Sequence, residues 1–336
     1  MNREVELIKK ITAIMPTEHQ RGNRAFECDA EIIKVSDKEL LFTIDEFSAE
    51  DLFRDHDPYS LGWNCAVGAI SDILAAGGVP TWYGHSMTVA HDWSSNYIEQ
   101  FAQGVADVLV RAGVGFMGGD FGSTETWRYT ASVIGIPEGR PLLRRGASIG
   151  DIIYLSGRIG LGNLEAALNL FSKRREVVAK ITAKIKTRLP LRLLEANLLR
   201  QYATSCIDTS DGMRVSLDCM AEINNSGYLI ETPPYLKSGL WAAKLLSLPA
   251  PLLFLGEAGE YELLFTIKEE DEDRFLLAAE QQGLCFYRLG MVAKADTRLL
   301  RQGNHEFDLK GLNIRGRDFV DAEGYLQALK DWLEKS

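Results

Sequence analysis

Apolar residues near the start of the chain recur at the spacing of an amphipathic helix. Leu7, Ile8, Ile11 and Ile14 alternate with charged residues over positions 1–15, and a period near 3.6 residues is typical of a helix with one apolar face. The order of the charges differs from the basic-then-apolar order of a signal peptide. We therefore expect this segment to be the first helix of the folded protein.

The next apolar pattern predicts a β-hairpin. Residues 30–35 and 39–44 are alternating or clustered apolar runs, and the polar turn Ser36-Asp37-Lys38 separates them. Short runs on either side of such a turn are typical of paired antiparallel strands. We expect these two strands to begin a sheet.

Helices and strands are predicted to alternate after the hairpin. Small and apolar residues at helical spacing over 60–77 end on a glycine pair and predict a buried helix, and residues 82–90 predict a strand. The amphipathic run 95–113 predicts another helix, and residues 128–136 predict a further strand. This alternation indicates an α/β protein.

The composition shifts towards glycine and arginine over residues 139–151, and we place a domain boundary there, between 1–145 and 146–336. A new strand is predicted from residue 152, and the alternation of helix and strand continues beyond it. The segments that carry this alternation are 161–171, 191–203, the loop DTSDG with the helix after it, 261–267, 269–283 and 285–293. The predicted fold class is therefore α/β, of the α+β kind, with two domains.

The composition is that of an ordinary globular protein. Of the 336 residues, 46% are hydrophobic and 25% are charged, which is enough core material for two domains. The net charge of −10 and the pI of about 5.2 oppose broad attraction to nucleic acid or anionic membranes. No apolar run approaches the roughly 20 residues of a membrane span, and the five cysteines lack the paired spacing of zinc sites or disulfide frameworks. We expect a cytoplasmic protein without nucleic-acid or membrane partners.

Six aspartates are candidates for chemistry because each is expected at a strand end or in a loop rich in glycine or serine. They are Asp29, Asp45, Asp72, Asp120, Asp208 and Asp211. Taken singly, each reads as a turn former or a helix cap. Taken together, two carboxylates about 4 Å apart would repel by roughly 4 kcal/mol at an effective dielectric constant of 20. Divalent cations with oxygen ligands remove that cost, so the set predicts a metal centre.

The segment GGDFGS, residues 118–123, is a candidate phosphate-binding turn. Its two glycines would let the backbone approach a phosphate, and Asp120 could hold the magnesium that bridges phosphate oxygens. The chain contains no GxxxxGK[ST] motif. Arg140, Arg144 and Arg145 could bind phosphate, and a basic linker between domains explains them equally well.

Six motifs occur in an order that resembles the thiamine-monophosphate kinases, within the superfamily of aminoimidazole ribonucleotide synthetase. They are DEFSAEDLF, DPYSLGWNCAVGAISDILAAGGVP, GGDFGS, GRPLLRRGASIGDIIYLSG, CIDTSDGM and GEAGEYELLFT. The resemblance extends from about residue 5 to residue 320. It implies a two-domain PurM-like fold with an N-terminal sheet domain that forms a homodimer and a C-terminal α/β sandwich domain. It also implies ATP and Mg²⁺ in a cleft between the domains.

The resemblance assigns roles to individual residues of this chain. The implied metal ligands are Asp29, Thr43, Asp45, Asp72, Asp120, Asp208 and Asp211. The implied ATP contacts are Gly119, Asp120, Arg144 and Ser210, and the implied catalytic aspartates are Asp45, Asp120 and Asp208.

The chain departs from the family pattern mainly at the positions that bind the family's substrate. The family histidine is Leu52, the family glutamate is Gly259 and the stacking aromatic is Arg317. Glu257, Glu260 and Phe319 are nearby replacements for the lost glutamate and aromatic. The expected substrate-binding set is thus Leu52, Glu257, Glu260, Arg317 and Phe319.

The sequence therefore predicts an ATP- and Mg²⁺-dependent phosphotransferase acting on a small, phosphorylated metabolite. An arginine in a pocket built for a cationic ring favours a different, anionic substrate. Two alternatives remain at this point. One is an ATP-dependent cyclo-ligase or synthetase of the aminoimidazole ribonucleotide synthetase type, and the other is a nucleotide-binding relative without turnover.

Overall fold

The computed structural model describes residues 3–16, 21–49, 57–160, 162–163, 188–245 and 247–336. Two sheets organise this part of the chain, and α-helices pack against them. None of the helices in the described ranges has the length and apolar character that a membrane crossing requires.

The first sheet has five strands in the order β1-β2-β5-β3-β4. Its strands are β1 (Glu31–Val35), β2 (Lys38–Ser48), β3 (Gly78–Ala90), β4 (Gly115–Thr124) and β5 (Arg128–Pro137). All neighbours are antiparallel except β3 and β4, which are parallel and leave β4 at the edge. The first helices are α1 (Arg3–Ile14), α2 (Pro58–Ala75) and α3 (Ser95–Ala112).

Helix α2 is buried along almost its whole length, as its small and apolar residues predict. Asp57 caps its start by accepting a hydrogen bond from the Ser60 amide at 2.8 Å, and Pro58 occupies the first turn. The helix packs on β2, β3 and β5 and crosses α3 closely. A Cβ at Gly62 would lie 2.0 Å from the Phe101 carbonyl oxygen, so the crossing requires glycine.

We expect Gly62→Ala to lower the free energy of unfolding by roughly 1–3 kcal/mol, the usual cost of overpacking a core. In an open helix the same change would stabilise the protein, because alanine favours helix over glycine. Urea denaturation measures the sign. Gly311→Ala is the matched control, since a Cβ there meets nothing within 4 Å, and a stabilised Gly62→Ala variant would contradict the close crossing.

The second sheet has seven strands in the order β12-β11-β8-β10-β6-β9-β7, with one parallel pair, β11 and β8. Its strands are β6 (Ile152–Leu155), β7 (Ala203–Asp208), β8 (Gly227–Ile230), β9 (Leu263–Ile267), β10 (Tyr287–Ala293), β11 (Arg298–Gln302) and β12 (His305–Asp308). The remaining helices are α4 (Leu193–Tyr202), α5 (Met213–Ile223), α6 (Lys237–Leu245), α7 (Leu252–Leu255), α8 (Glu272–Gln281) and α9 (Ala322–Lys335).

Hydrophobic packing joins the two sheets. One cluster of buried side chains runs from the first sheet through α2 and α4 to Tyr154 and Phe265 of the second sheet. Another cluster fills the opposite face of the second sheet, where α5 and α9 contribute Leu217 and Leu329. Helix α2 also contacts β7, so it lies between the sheets and fixes their spacing near residue 72.

The predicted hairpin is confirmed by the β1–β2 register, and the predicted helices over 60–77 and 95–113 are confirmed within two residues. The prediction of a turn at GGDFGS, residues 118–123, was wrong, because β4 continues through these residues to Thr124. Asp45, Asp72 and Asp120 likewise lie within regular elements. Most of the predicted 161–171 segment lies outside the described residues, and the boundary at 145 stays a prediction.

Candidate functional site

Three aspartates from distant parts of the chain meet between the sheets. Asp29 precedes β1, Asp72 lies in the last turn of α2, and Asp208 is the last residue of β7. One carboxylate oxygen from each lies within 4.8 Å of the others. We call these three residues the acidic cluster. A strand end, a helix end and a loop converge here because α2 packs against both sheets.

Hydroxyl groups orient the carboxylates of the acidic cluster. Thr43 Oγ1 donates to Asp72 Oδ2 at 2.5 Å and lies 3.4 Å from Asp45 Oδ2. Ser71 Oγ donates to Asp208 Oδ2 at 2.7 Å, and Ser210 Oγ donates to Asp208 Oδ1 at 2.7 Å. Each hydroxyl leaves its carboxylate further acceptor capacity, so the cluster can still bind a cation.

Arg144 binds only one oxygen of Asp29. Its Nε and Nη2 donate to Asp29 Oδ1 at 3.0 and 2.6 Å. Asp29 Oδ2 is buried and has no hydrogen-bond partner among the described groups. A buried carboxylate oxygen without a partner is costly unless a cation or donor completes it. Its position beside two further carboxylates fits a hard divalent cation such as Mg²⁺.

Burial and mutual repulsion oppose ionisation at this site. Burial, opposed by Arg144 and assisted by the Asp208 charge, raises the pKa of Asp29 to about 6. Burial, followed by the Asp208 charge, raises the pKa of Asp45 to about 7. The pKa of Asp72 is raised well above its usual value by burial and then by Asp45 and Asp208. These shared effects place Asp45 electrostatically with the acidic cluster.

We expect the metal-free protein to lose stability as the pH rises from about 4 to about 7. The folded-state pKa values of Asp29 and Asp45 lie above the ordinary value of 3.8, so the folded state binds more protons than the unfolded state in this window. Mg²⁺ favours the ionised carboxylates, and it should therefore raise the melting temperature more near about pH 8 than near about pH 5. Thermal melts with EDTA and with Mg²⁺ measure both effects, and a pH-independent Mg²⁺ effect would contradict them.

Asp120 lies on the other face of the first sheet. Asp45, Ala131, His85 and Gly119 stand side by side across β2, β5, β3 and β4, on the face that the helices cover. A Cβ at Gly119 would lie 2.3 Å from the His85 side chain, which confirms its direction. Successive strand residues point to opposite faces, so the exposed Asp120 points away from Asp45.

The other predicted metal and nucleotide residues lie at different places in the fold. Asp211 is exposed beside Gly212, at the start of α5. Ser210 is bound to Asp208 as described, and Gly119 is exposed on the edge strand β4. The structure thus brings together Asp29, Asp72 and Asp208 with Thr43 and Asp45, and it leaves Asp120 apart within one chain.

Comparison with known proteins finds several that are similar to this chain. Residues 27–136 match the family described as AIR synthase related protein, N-terminal domain. The thiamine-monophosphate kinase of Archaeoglobus fulgidus is 27% identical over 272 residues, covering 80% of this chain and 87% of the relative. The corresponding enzyme of Escherichia coli K12 is 28% identical over 290 residues, covering 80% of this chain and 88% of the relative. The chain is thus similar to the thiamine-monophosphate kinases over most of its length.

Solved structures of such proteins share the fold. The thiamine monophosphate kinase from Aquifex aeolicus superposes with a TM-score of 0.68 at 25% identity, over 88% of this chain and 96% of that chain. A structure described as AaThiL complexed with AMPPCP and TMP gives a TM-score of 0.70 at 23% identity, over 87% and 90% of the two chains. HypE in complex with ATP gives 0.63 at 17% identity, over 86% and 90%. The predicted PurM-like α+β fold is therefore confirmed.

Both candidate replacement glutamates make internal contacts. Glu257 Oε1 accepts from Arg214 Nη2 at 2.8 Å, and its Oε2 accepts from the Gly316 amide at 2.8 Å. Glu260 is buried and accepts from the Gly160 and Gly162 amides at 3.0 and 3.1 Å. Neither carboxylate is placed as a simple substitute for a ligand-binding acid.

The other predicted substrate residues have varied surroundings. Arg317 is exposed in a short 3-10 helix, Gly316–Asp318, and Phe319 is half-buried with its ring 5.9 Å from that of Tyr325. Leu52 lies outside the described residues. A Cβ at Gly259 would lie 2.5 Å from the Ser210 carbonyl oxygen, so the loop packs directly against the segment that carries Asp208.

Sequence reasoning missed Ser71 and Arg214. Ser71 donates to Asp208, and its position next to Asp72 was the available signal. Arg214 is fully buried and joins Glu257 to the carbonyl of Ile314. A single arginine in an amphipathic helix usually indicates a surface position, so the sequence offered no sign of this role.

Proposed function

We propose that this protein is an ATP- and Mg²⁺-dependent phosphotransferase that phosphorylates a small metabolite already carrying a phosphate. The convergence of Asp29, Asp72 and Asp208, with a partnerless buried oxygen on Asp29, is the observation that carries the proposal. The names of the relatives support a kinase, and their length matches that of this chain.

Different residues of the chain would bind the cations and the phosphates. The acidic cluster, with Asp45 and Thr43, would hold the cations, which when bound neutralise the triphosphate and its transferring group. Arg144, already at the edge of the cluster, supplies a planar guanidinium suited to phosphate oxygens. The acceptor phosphate attacks the γ-phosphorus in line, a reaction that needs positioning and charge neutralisation more than a side-chain nucleophile.

We also propose that the active protein is a homodimer in which Asp120 serves the site of the other copy. Within one chain, Asp120 points away from Asp45 and lies on an edge strand. Ile44, Trp82 and Ile136 are exposed apolar residues of the same sheet, at 59%, 36% and 42%. A second copy packed on this face by two-fold symmetry would cover them and place Asp120 in the interface between the copies, and we propose that Asp120 reaches the site of the other copy from there.

The acceptor is expected to differ from thiamine monophosphate. The loop around Gly259 presents no side chain at that position, and Glu257 is neutralised by Arg214. Arg315 lies 3.6 Å from Glu257 and Arg317 is exposed nearby in sequence. These cations favour an anionic acceptor over a cationic ring.

The decisive experiment incubates the purified protein with Mg²⁺-ATP and a panel of phosphorylated metabolites that includes thiamine monophosphate. A kinase forms ADP and a further phosphorylated acceptor in equal amounts. Release of ADP with free phosphate and a cyclised or dehydrated product would favour the synthetase reaction instead. Nucleotide binding without any product would identify a relative that lacks turnover, and failure to bind Mg²⁺-ATP would overturn the proposal.

A further inference from the structure

Arg144 belongs to a short segment, residues 142–147, in the connection between β5 of the first sheet and β6 of the second sheet. Backbone hydrogen bonds hold its first half. The Leu142 amide donates to the Ala76 carbonyl at 2.9 Å, and the Arg144 amide donates to the Glu27 carbonyl at 2.8 Å. The Cys206 amide donates to the Leu143 carbonyl at 2.9 Å. These contacts fix the segment as far as Arg144.

One side chain, Asn224, holds the second half. Its Oδ1 accepts from the Gly146 amide at 2.8 Å and from the Ala147 amide at 3.1 Å. Its Nδ2 donates to the Arg144 carbonyl at 2.8 Å and to the Met220 carbonyl, one turn back in α5, at 2.8 Å. A single amide therefore ties α5 to the Arg144 carbonyl and to the backbone just after it, and uses donor and acceptor together.

The path of the segment leaves little room for another arrangement. Gly146 has a φ of 133°, and a Cβ there would lie 2.1 Å from the Thr204 carbonyl oxygen. Helix α5 begins at Met213, directly after the loop that carries Asp208. The same helix thus joins the acidic cluster at its start to the Arg144 segment at its end.

We propose that Asn224 is a positioning residue for Arg144. By holding the Arg144 carbonyl and the amides of Gly146 and Ala147, it sets the distance of the guanidinium from Asp29 and from the phosphates of a bound nucleotide. The bound nucleotide in this inference rests on the proposed function. The hydrogen bonds of Asn224 do not depend on that function. A residue that merely capped α5 would need only the bond to Met220.

The test compares Asn224→Ala with Asn225→Gly, a control at the next, exposed residue, whose φ of 48° glycine tolerates. Hydrogen exchange of the 142–150 peptide is measured first, without nucleotide. We expect faster exchange at Gly146 and Ala147 in Asn224→Ala only, because both amides lose their acceptor. Unchanged exchange would overturn the proposal.

The second arm measures the dissociation constant for Mg²⁺-ATP by calorimetry. We expect Asn224→Ala to raise it about tenfold, with melting temperature and saturated turnover changing less. In an Arg144→Gln background, where the guanidinium is absent, the same substitution should have little further effect. An equal rise of the dissociation constant in both backgrounds would overturn the positioning role. It would indicate that the substitution only destabilises the protein.

The two proposals can fail separately. If the protein without substitutions binds no Mg²⁺-ATP, the proposed function is overturned. The exchange measurement then decides whether Asn224 holds the Arg144 segment. Unchanged protein that binds Mg²⁺-ATP, with an Asn224→Ala variant of equal affinity, would overturn the inference on Asn224 alone.

Discussion

Asp72→Asn should make the metal-free protein more stable and at the same time abolish its Mg²⁺-dependent turnover. Asp72 is buried beside Asp29 and Asp208, and burial and the neighbouring charges hold its pKa well above the usual value. Asparagine has nearly the same shape, carries no charge and still accepts the hydrogen bond from Thr43. Removing one repelling carboxylate should add about 1 kcal/mol or more to the free energy of unfolding, in the range found for relieved active-site strain.

Turnover should fall by more than roughly 100-fold, because loss of a residue that only supports a metal ligand already costs 10- to 100-fold. Melting in EDTA near neutral pH, followed by assay with Mg²⁺-ATP, measures both effects on one preparation. The stability gain should shrink in acid, where the carboxyls are protonated in either variant. Asp92→Asn, at an exposed aspartate between β3 and α3, is the control. A variant that loses stability without metal would show that the cluster is not repulsive.

Mixing two inactive variants should restore activity if the proposed dimer shares its sites. Asp45→Asn and Asp120→Asn should each lower turnover by more than about 100-fold, since each removes a proposed cation ligand. In a two-fold dimer, a mixed pair contains one site with both aspartates intact and one with neither. Random pairing of equal amounts should therefore recover about one quarter of the unmodified activity.

The result decides between two placements of Asp120. The register of β3 and β4 directs Asp120 to the face opposite Asp45, which no small movement of one chain would reverse. Co-expression of differently tagged variants, followed by tandem purification, supplies the mixed dimer alone, in which about one half of the unmodified activity is expected. Activity equal to that of the single variants, or a monomer in sedimentation, would contradict a shared site.

The acidic cluster was accessible to sequence reasoning because residue type and order were enough to propose it. Asp29, Asp72 and Asp208 stand next to a strand, in a helix and at a strand end, and their convergence follows from the packing of α2 between two sheets. The helical spacing of residues 60–77 predicted that α2 is buried. It could not predict that its last turn reaches β7.

The placement of Asp120 was not accessible in the same way. Register between β3 and β4 shifts near Gly84, where Tyr83 pairs with Phe116 but Gly84 pairs with Gly118. An extra residue in one strand reverses the faces of all residues after it, and the local sequence does not fix where such a bulge occurs. The glycines of GGDFGS suggested a turn because they lack side chains, while the structure uses them in an extended strand.

The partners of Glu257 and Glu260 were equally hidden. Glu257 pairs with Arg214, 43 positions earlier, and Glu260 binds amides about 100 positions away. Such contacts depend on how loops meet after the sheet has formed, and no periodic pattern encodes them. The family resemblance predicted that this loop binds substrate, and the structure shows that both of its candidate acids make internal contacts.

The tight contact at Gly259 limits how this loop can be redesigned or can diverge. Any side chain there would displace the Ser210 carbonyl, and Ser210 also bonds to Asp208, so a single change to glutamate would disturb the proposed metal-binding loop before it gained a new ligand contact. Recovering an acid at this position would require a compensating change in the 208–212 loop. A specificity library built on this scaffold should therefore randomise the two loops jointly.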